Sequence, residues 1–424
     1  MEIEEHLFRH QAGRMIAVLT RVFGVHNLAL AEDVVQDAFC RALEVWKFRG
    51  LPENPSAWLM AAAKNRALDV LRRERTARTY EPELGRLLGS EWTLAPVVEE
   101  LFSAHGIKDD ELRMMFSCCH PRLAEEAQVA LILHILCGFS VSEIAGAFVS
   151  SHASIEKRIT RAKKVLAGSK HLFEIANASD FSSRLPAVQR ALYLLFNEGY
   201  HGASAESAVR AELCQEAIRL TRLLLEHPSA AMPATHALAA LMCLHAARLP
   251  GRVDAAGNLS ALIEQDRSKW DSKLAAEGQR LLDLSATGQE LSEYHVEAGI
   301  AAIHATARTL EETDWRGIVS LYDMLMTIRP SPIVALNRAI AVAELEGPER
   351  GLEELRAIAG SERLAAYPFY SAAIGELELR AGRLDTARKH FRAALALARN
   401  PMERRFLEQR LGACEDRTPQ KMRP

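Results

Sequence analysis

FSVSEIAGAFVSSHASIEKRITRAKKVL, residues Phe139 to Leu166, is the stretch whose reading decides the fold. It divides into two short helices joined by a tight turn. Ser140 and Glu143 stand at capping-box spacing, which predicts a helix start just after Ser140. Ile144, Ala145 and Phe148 fall on its apolar face. After a Ser-Ser turn, a second helix sends Ile155, Ile159, Ala162 and Leu166 inward at helical spacing. Its remaining surface is cationic. From Glu156 to Lys170, Lys157, Arg158, Arg161, Lys163, Lys164 and Lys170 oppose one acid, six against one. A helix-turn-helix sets such a helix in the major groove of DNA. A surface helix that is basic only for solvation has the same pattern. Val149 takes the turn position where these units usually carry glycine, so either the turn follows another backbone path or the alignment there is off by one residue.

Outward from this stretch, nearly every segment repeats its apolar residues with helical period and none alternates convincingly, which predicts an all-α fold. A first helix is expected over about Glu4 to Phe23. A second runs from near Asn27 to about Phe48, with Ala31, Val34, Val35, Ala38, Phe39, Ala42, Leu43 and Trp46 on or near its buried side. A third begins at Asn54-Pro55, with Asn as cap and Pro in the first turn, and reads NPSAWLMAAAKNRALDVLRRER. It ends in a cationic cluster: Lys64 to Arg78 holds six basic residues against Asp69 and Glu74. The periodicity then lapses through Pro82, Gly85, Gly89 and Pro96. The expected division is a helical module over residues 1–76, a linker over 77–108 and a helix-turn-helix module over 109–172. A helical-hairpin region over 180–414 and a disordered polar tail over 415–424 complete it.

The hairpin region shows weak internal repetition. In YSAAIGELELRAGRLDTARKHFRAALALARNP, Gly375, Gly382, Ala387, Phe391 and Ala394 stand where a tetratricopeptide repeat carries small residues and one aromatic. The preceding unit repeats the theme, with Ala339 lying 36 residues before Gly375 and Gly347 lying 35 before Gly382. Pairs around Leu192–Leu225 and Ala234–Trp270 fit more loosely.

A chain of 424 residues accommodates two to four domains, and 49% apolar with 25% charged residues fits a soluble protein. The net charge of −3 leaves any nucleic-acid affinity to local patches. The seven cysteines are odd in number and scattered, and no secretory leader or apolar run near membrane length occurs, so a cytoplasmic protein with reduced thiols is expected. Cys118-Cys119-His120 lacks the ligand spacing of a zinc knuckle, and a turn that tucks both thiols against the core is expected instead. Glu198, His201, His295, Glu297 and His304 are candidate acids and bases. They form no HExxH pattern, nucleophile elbow or phosphate loop, so no enzymatic activity, cofactor or metal is expected.

Two cationic helical modules flanking a linker resemble bacterial RNA polymerase sigma factors of the extracytoplasmic-function (ECF) type. AEDVVQDAF, Ala31 to Phe39, resembles the core-binding helix of region 2. Asn54 to Arg75 resembles the segment that melts and reads the −10 element, and the opening stretch resembles region 4, which reads the −35 element. The whole chain resembles the subgroup with a tetratricopeptide-like extension, in which LYLLFNEGY, Leu192 to Tyr200, and the final repeat recur.

The resemblance implies an RNA polymerase sigma factor with core polymerase, through its β′ subunit and β flap, and promoter DNA as partners. Asp33, Gln36 and Asp37 share one helix face and would meet basic groups of β′; a solvated acidic face is the reading without the resemblance. Asn65 would bond an unstacked −10 base edge while Arg66, Arg72 and Arg73 hold DNA, with Asp69 orienting Asn65 or an arginine. Trp58 either stacks on a base or, as its apolar neighbours favour, packs in the core. Ser154, Glu156, Lys157 and Arg158 would face the −35 bases, and Arg161 and Lys164 the phosphates. The extension is expected to regulate by binding a protein or peptide partner, with Glu198, Tyr200 and His201 as a candidate surface or as groups that satisfy buried helix ends. An operator-binding regulator that never touches polymerase is the alternative reading.

Overall fold

The computed structural model describes residues 2–23, 27–77, 109–148, 150–167, 178–202, 207–254 and 258–416. The expected linker, the turn residue Val149 and the polar tail fall outside these residues, apart from the linker's first residue, Ala77, and the first two of the tail. Within the described residues the fold is all-α: 19 helices, three short 3-10 turns and one isolated bridge between Val253 and Leu259. The chain divides into two compact units. One comprises residues 1–192 with 223–231, the other residues 193–222 with 232–424.

In the first unit, α1 (Glu2–Phe23), α2 (Leu28–Arg49) and α3 (Pro55–Ala77) pack together. Gly50, at φ +75°, ends α2 and donates its N–H to Trp46 O. Asn54 Oδ1 accepts the Ala57 N–H at 3.0 Å, so the predicted Asn-Pro start holds. Met15, Ile16 and Leu19 meet the α2 stripe of Leu28, Ala31, Val34, Val35, Ala38, Ala42 and Trp46 and the α3 residues Leu59, Ala63 and Ala67. Leu43 was expected near the buried side but is 51% exposed, one position beyond the stripe's edge.

Four further helices follow: α4 (Asp110–Cys118), α5 (Glu125–Ile135), α6 (Val141–Ala147) and α7 (His152–Ala167). Asp109 caps α4 by accepting the Leu112 N–H. Val129 to Leu133 of α5 are all buried, so this helix is the core of its module. Cys118 and Cys119 are buried as expected, and burial pushes both thiols up from their usual range. The long helix α8 (Ala178–His201) begins in this unit. Phe181 stacks on Phe116 and on His227, with centroids at 4.4 and 4.5 Å, and buried Arg184 donates to Phe116 O. The expected boundary at residue 180 therefore does not coincide with the structural one, because the first half of α8 belongs to the first unit.

In the second unit, α9 (Ala211–Leu225) shares its first part with the rest of α8. The nearly wholly buried α10 (Pro233–Ala246) is flanked by α12 (Ser272–Ser285) and α13 (Glu293–Thr306), with the one-turn α11 (Leu249–Arg252) between. Ala234–Trp270 thus holds one long helix, the one-turn α11 and two 3-10 turns rather than a pair of long helices. From α13 onward consecutive helices pack on one another: α14 (Trp315–Ile328), α15 (Pro332–Glu346), α16 (Pro348–Arg356), α17 (Pro368–Arg380), α18 (Leu384–Ala396) and α19 (Pro401–Asp416). The repeat residues act as predicted. A Cβ on Gly375 would sit 3.1 Å from the Phe391 ring, Gly382 turns the chain at φ +79°, and Ala387, Phe391 and Ala394 are buried.

Candidate polymerase and nucleic-acid interface

The helix-turn-helix follows the local rules read from its sequence. Ser140 Oγ accepts the Glu143 N–H at 3.2 Å, and Glu143 returns a bond to the Ser140 N–H at 2.7 Å. Ser151 Oγ accepts the Ser154 N–H at the start of α7. Ile155, Ile159, Ala162 and Leu166 are buried, which turns Ser154, Glu156, Lys157, Arg161 and Lys164 outward, all of them exposed. Arg158 is the exception. Its guanidinium pairs with Glu126 of α5 at 3.0 Å and lies 5.8 Å from the Phe148 ring centroid.

On α2, Asp33, Gln36 and Asp37 are exposed together on one side, as i, i+3, i+4 spacing requires. On α3, Asn65 and Arg66 are exposed; the side chains of Arg72 and Arg73 lie outside the described residues. Asp37 and Arg66 meet: Arg66 Nε donates to Asp37 Oδ2 at 2.9 Å, both side chains about half exposed. The structure thus joins a residue expected to hold polymerase with one expected to hold DNA. Asp69 is exposed and makes no bond to Asn65 among the described residues. Trp58, half-buried, packs edge-on to Trp46 at 5.5 Å.

The two modules also touch. Lys163 of α7 donates to Glu32 of α2 at 2.7 Å, and both side chains are largely covered. Gly13 of α1 lies so near Leu136 that a Cβ would fall 2.0 Å from the Leu136 carbonyl oxygen. Neither contact was foreseen. Glu32 and Lys163 are 131 residues apart, and each reads in isolation as a solvated charge.

In the extension, Glu198 is 5% exposed and paired with buried Arg210 at 2.7 Å, so it is an internal group and not part of a surface. Tyr200 and His201 are half-buried, with Arg252 over the Tyr200 ring and 3.3 Å from His201 Nδ1. His295 accepts the Ser292 N–H and reaches Ser285 O, and His304 is 8% exposed. His304 is thus buried, and His295 caps the start of α13.

Residues 7–77 match the family of sigma-70 region 2, and residues 113–166 match sigma-70 region 4. The capped helix pair, its outward basic helix and the preceding three-helix module are therefore the promoter-recognition half of a sigma-70-type RNA polymerase sigma factor. Residues 184–286 match a family of unknown function, DUF6596. An uncharacterized protein of Rhizobium meliloti (strain 1021) is 40% identical over 399 residues, covering 93% of this chain and 92% of its own length. The chain belongs to the family of that protein. No helix among the described residues is long and apolar enough to cross a membrane.

Proposed function

We propose that this protein docks on core RNA polymerase through the α2 face of Asp33, Gln36 and Asp37 and selects promoters with α3 and α7. Asn65, Arg66, Arg72 and Arg73 serve the −10 element. Ser154, Glu156, Lys157, Arg158, Arg161 and Lys164 serve the −35 element. The observation that carries the reading is that ten of these residues, Asp33, Gln36, Asp37, Asn65, Arg66, Ser154, Glu156, Lys157, Arg161 and Lys164, point to solvent from the helices that sigma regions 2 and 4 occupy. The β′ subunit and the β flap are the polymerase surfaces this role calls for.

The two elements lie about 25 base pairs apart by their names, or roughly 85 Å along the duplex at about 34 Å per turn of 10 base pairs. With Lys163 bonded to Glu32 the modules cannot span that distance, so engagement requires the junction to open. Residues 178–192 belong to the same unit as the modules, which gives the extension a covalent and packed route to them. The extension, of the tetratricopeptide-like type that the ECF subgroup carries, regulates the sigma half from there by binding a protein or peptide.

Transcription by purified core enzyme with this protein, followed by sequencing of transcript starts, tests the reading. A shared pair of upstream elements, lost on alanine substitution of Asp33, Gln36 and Asp37 together, is expected. An operator-binding regulator keeps its DNA affinity and activity in that triple variant and directs no initiation.

A further inference from the structure

The extension buries a cation, Arg248, beside which no carboxylate acts among the described residues. Arg248 is 6% exposed, and its Nε has no partner. The charged and phenolic groups acting on it are Tyr200, Arg252 and Tyr322, none a carboxylate. Arg252 follows four residues later across α11, on the same side of the turn. Its guanidinium lies 4.1 Å from the Tyr200 ring centroid, and its Nε is likewise buried and unpartnered. Trp270 is flanked by Arg248 at 5.3 Å and Arg267 at 5.2 Å. Arg267 is the instructive contrast: it donates to His304 O, Ala307 O and Thr313 Oγ1, so its hydrogen-bonding capacity is used internally.

The other unpartnered buried atoms around these cations are hydrogen-bond donors or can serve as such: Tyr200 OH, Trp270 Nε1 and Nδ1 of His245 and His304. Burial, followed by Arg248 and Arg267, pushes His304 down to about 3, the opposite of what a neighbouring protein carboxylate would do. Burial alone would raise the Tyr200 phenol, yet Arg248 and Arg252 outweigh it and hold that group below its usual value. Guanidinium groups one helical turn apart repel one another, and the buried one, Arg248, also forgoes hydration. A water would satisfy their N–H groups but would not neutralise them.

We infer that Arg248, Arg252, Tyr200 and Trp270 form a binding site for a small oxyanion, a phosphoryl or carboxylate group seated against the two guanidinium groups. Guanidinium is the side chain whose planar fork matches both of these oxyanions. Tyr200 and Trp270 supply the donors beside it, and the aromatic faces limit the size of what enters. The regulatory consequence of such binding rests on the role proposed above for the extension; the binding itself does not.

The test uses the full chain without polymerase or DNA, by titration calorimetry and thermal melting in inorganic phosphate, succinate or sodium chloride at matched ionic strength. Saturable one-to-one binding of phosphate or succinate is expected, with the melting temperature raised by about 5 °C or more at a hundredfold excess over Kd. Response to phosphate alone assigns a phosphoryl ligand, and response to succinate alone a carboxylate. Arg248→Met and Arg252→Met should each abolish the rise. Because Arg248→Met removes an uncompensated charge at similar volume, its ligand-free melting temperature should equal or exceed that of the parent. The inference is overturned if neither anion exceeds chloride, if both variants still bind, or if Arg248→Met alone melts lower without ligand. Since no transcription is read, failure here leaves the promoter reading standing.

Discussion

Replacing Gly13 by alanine should unlatch the promoter modules without touching a single charge. A Cβ there would lie 2.0 Å from the Leu136 carbonyl oxygen, 2.7 Å from its carbon and 2.9 Å from its Cα. Ordinary contact begins near 3.4 Å, so α1 must withdraw from Leu136 by about 1.4 Å. The obstacle is backbone, which cannot rotate away as a side chain would. Alanine favours the helix over glycine by about 1 kcal/mol, so α1 itself is not weakened. Overpacking typically costs about 1–3 kcal/mol. Here it falls on the junction, because Gly13 lies in region 2 and Leu136 in region 4. At about 1.4 kcal/mol per decade, the separated form should gain roughly five- to 150-fold over the latched one.

The chain's own chemistry suits the measurement. Cys40 on α2 is exposed while the other six cysteines are buried, so Cys40 and a Thr160→Cys substitution on the outer face of α7 accept a donor–acceptor dye pair selectively. Energy transfer between them should fall in Gly13→Ala, and affinity for core polymerase should rise by a similar factor. Circular dichroism melts guard against simple unfolding. An unchanged distance distribution in a folded variant would refute the latch, as would lower transfer with no gain in core affinity refute its bearing on docking.

Two further outcomes follow from the extension. Phe391→Ala empties the space between α17 and α18 and should destabilise that hairpin by about 3–5 kcal/mol, read as a lower denaturant midpoint, while the dye pair on the promoter modules keeps its energy transfer. Burial and nearby arginines lower His201, His245 and His304, the first and last to about 3. With the folded values below the unfolded one near 6.5, the stability these groups contribute is full above that value and declines as pH falls towards 3, by at most about 1.4 kcal/mol per pH unit for each. Melts between pH 7.5 and 5.5 should show the decline begin below 6.5, and His304→Gln should make it shallower.

What could be read from the sequence was local. The capping box, the four inward residues of α7 and the Asn-Pro start of α3 depend on neighbours within four positions, and each appears as expected. The hairpin around Gly375 and Phe391 was legible for the same reason, since a missing side chain and the ring that fills its place recur at a fixed repeat. Leu43 misled because it adjoins Ala42 in sequence but lies about 100° away around the helix. The site was legible as a set of outward residues but not in its pairings. Nothing near Glu32 announces Lys163, and nothing near Arg66 announces Asp37. Gly13 reads as a mid-helix weakness until Leu136 arrives from a different module. Arg248 reads as the polar end of an apolar helix until the groups acting on it, among the described residues two phenols and a second arginine, become visible.

The pairings have an energetic meaning of their own. Three residues expected to meet partners, Asp37, Arg66 and Arg158, are already in ion pairs, and Glu32 beside the docking face is in another. Surface pairs of this kind are worth about 0–1 kcal/mol each, so exchanging all three pairs for intermolecular contacts costs at most about 3 kcal/mol, a weakening of up to about a hundredfold. A single phosphate contact does not offset that. On the docking mode proposed above, polymerase would offset it, because it would take the acidic partners first and leave Arg66 and Lys163 without their internal anions. The arrangement therefore favours an ordered sequence, polymerase before promoter, with the isolated chain a weak and salt-sensitive DNA binder. At about five phosphate contacts, its log–log salt slope should lie near −4 to −5.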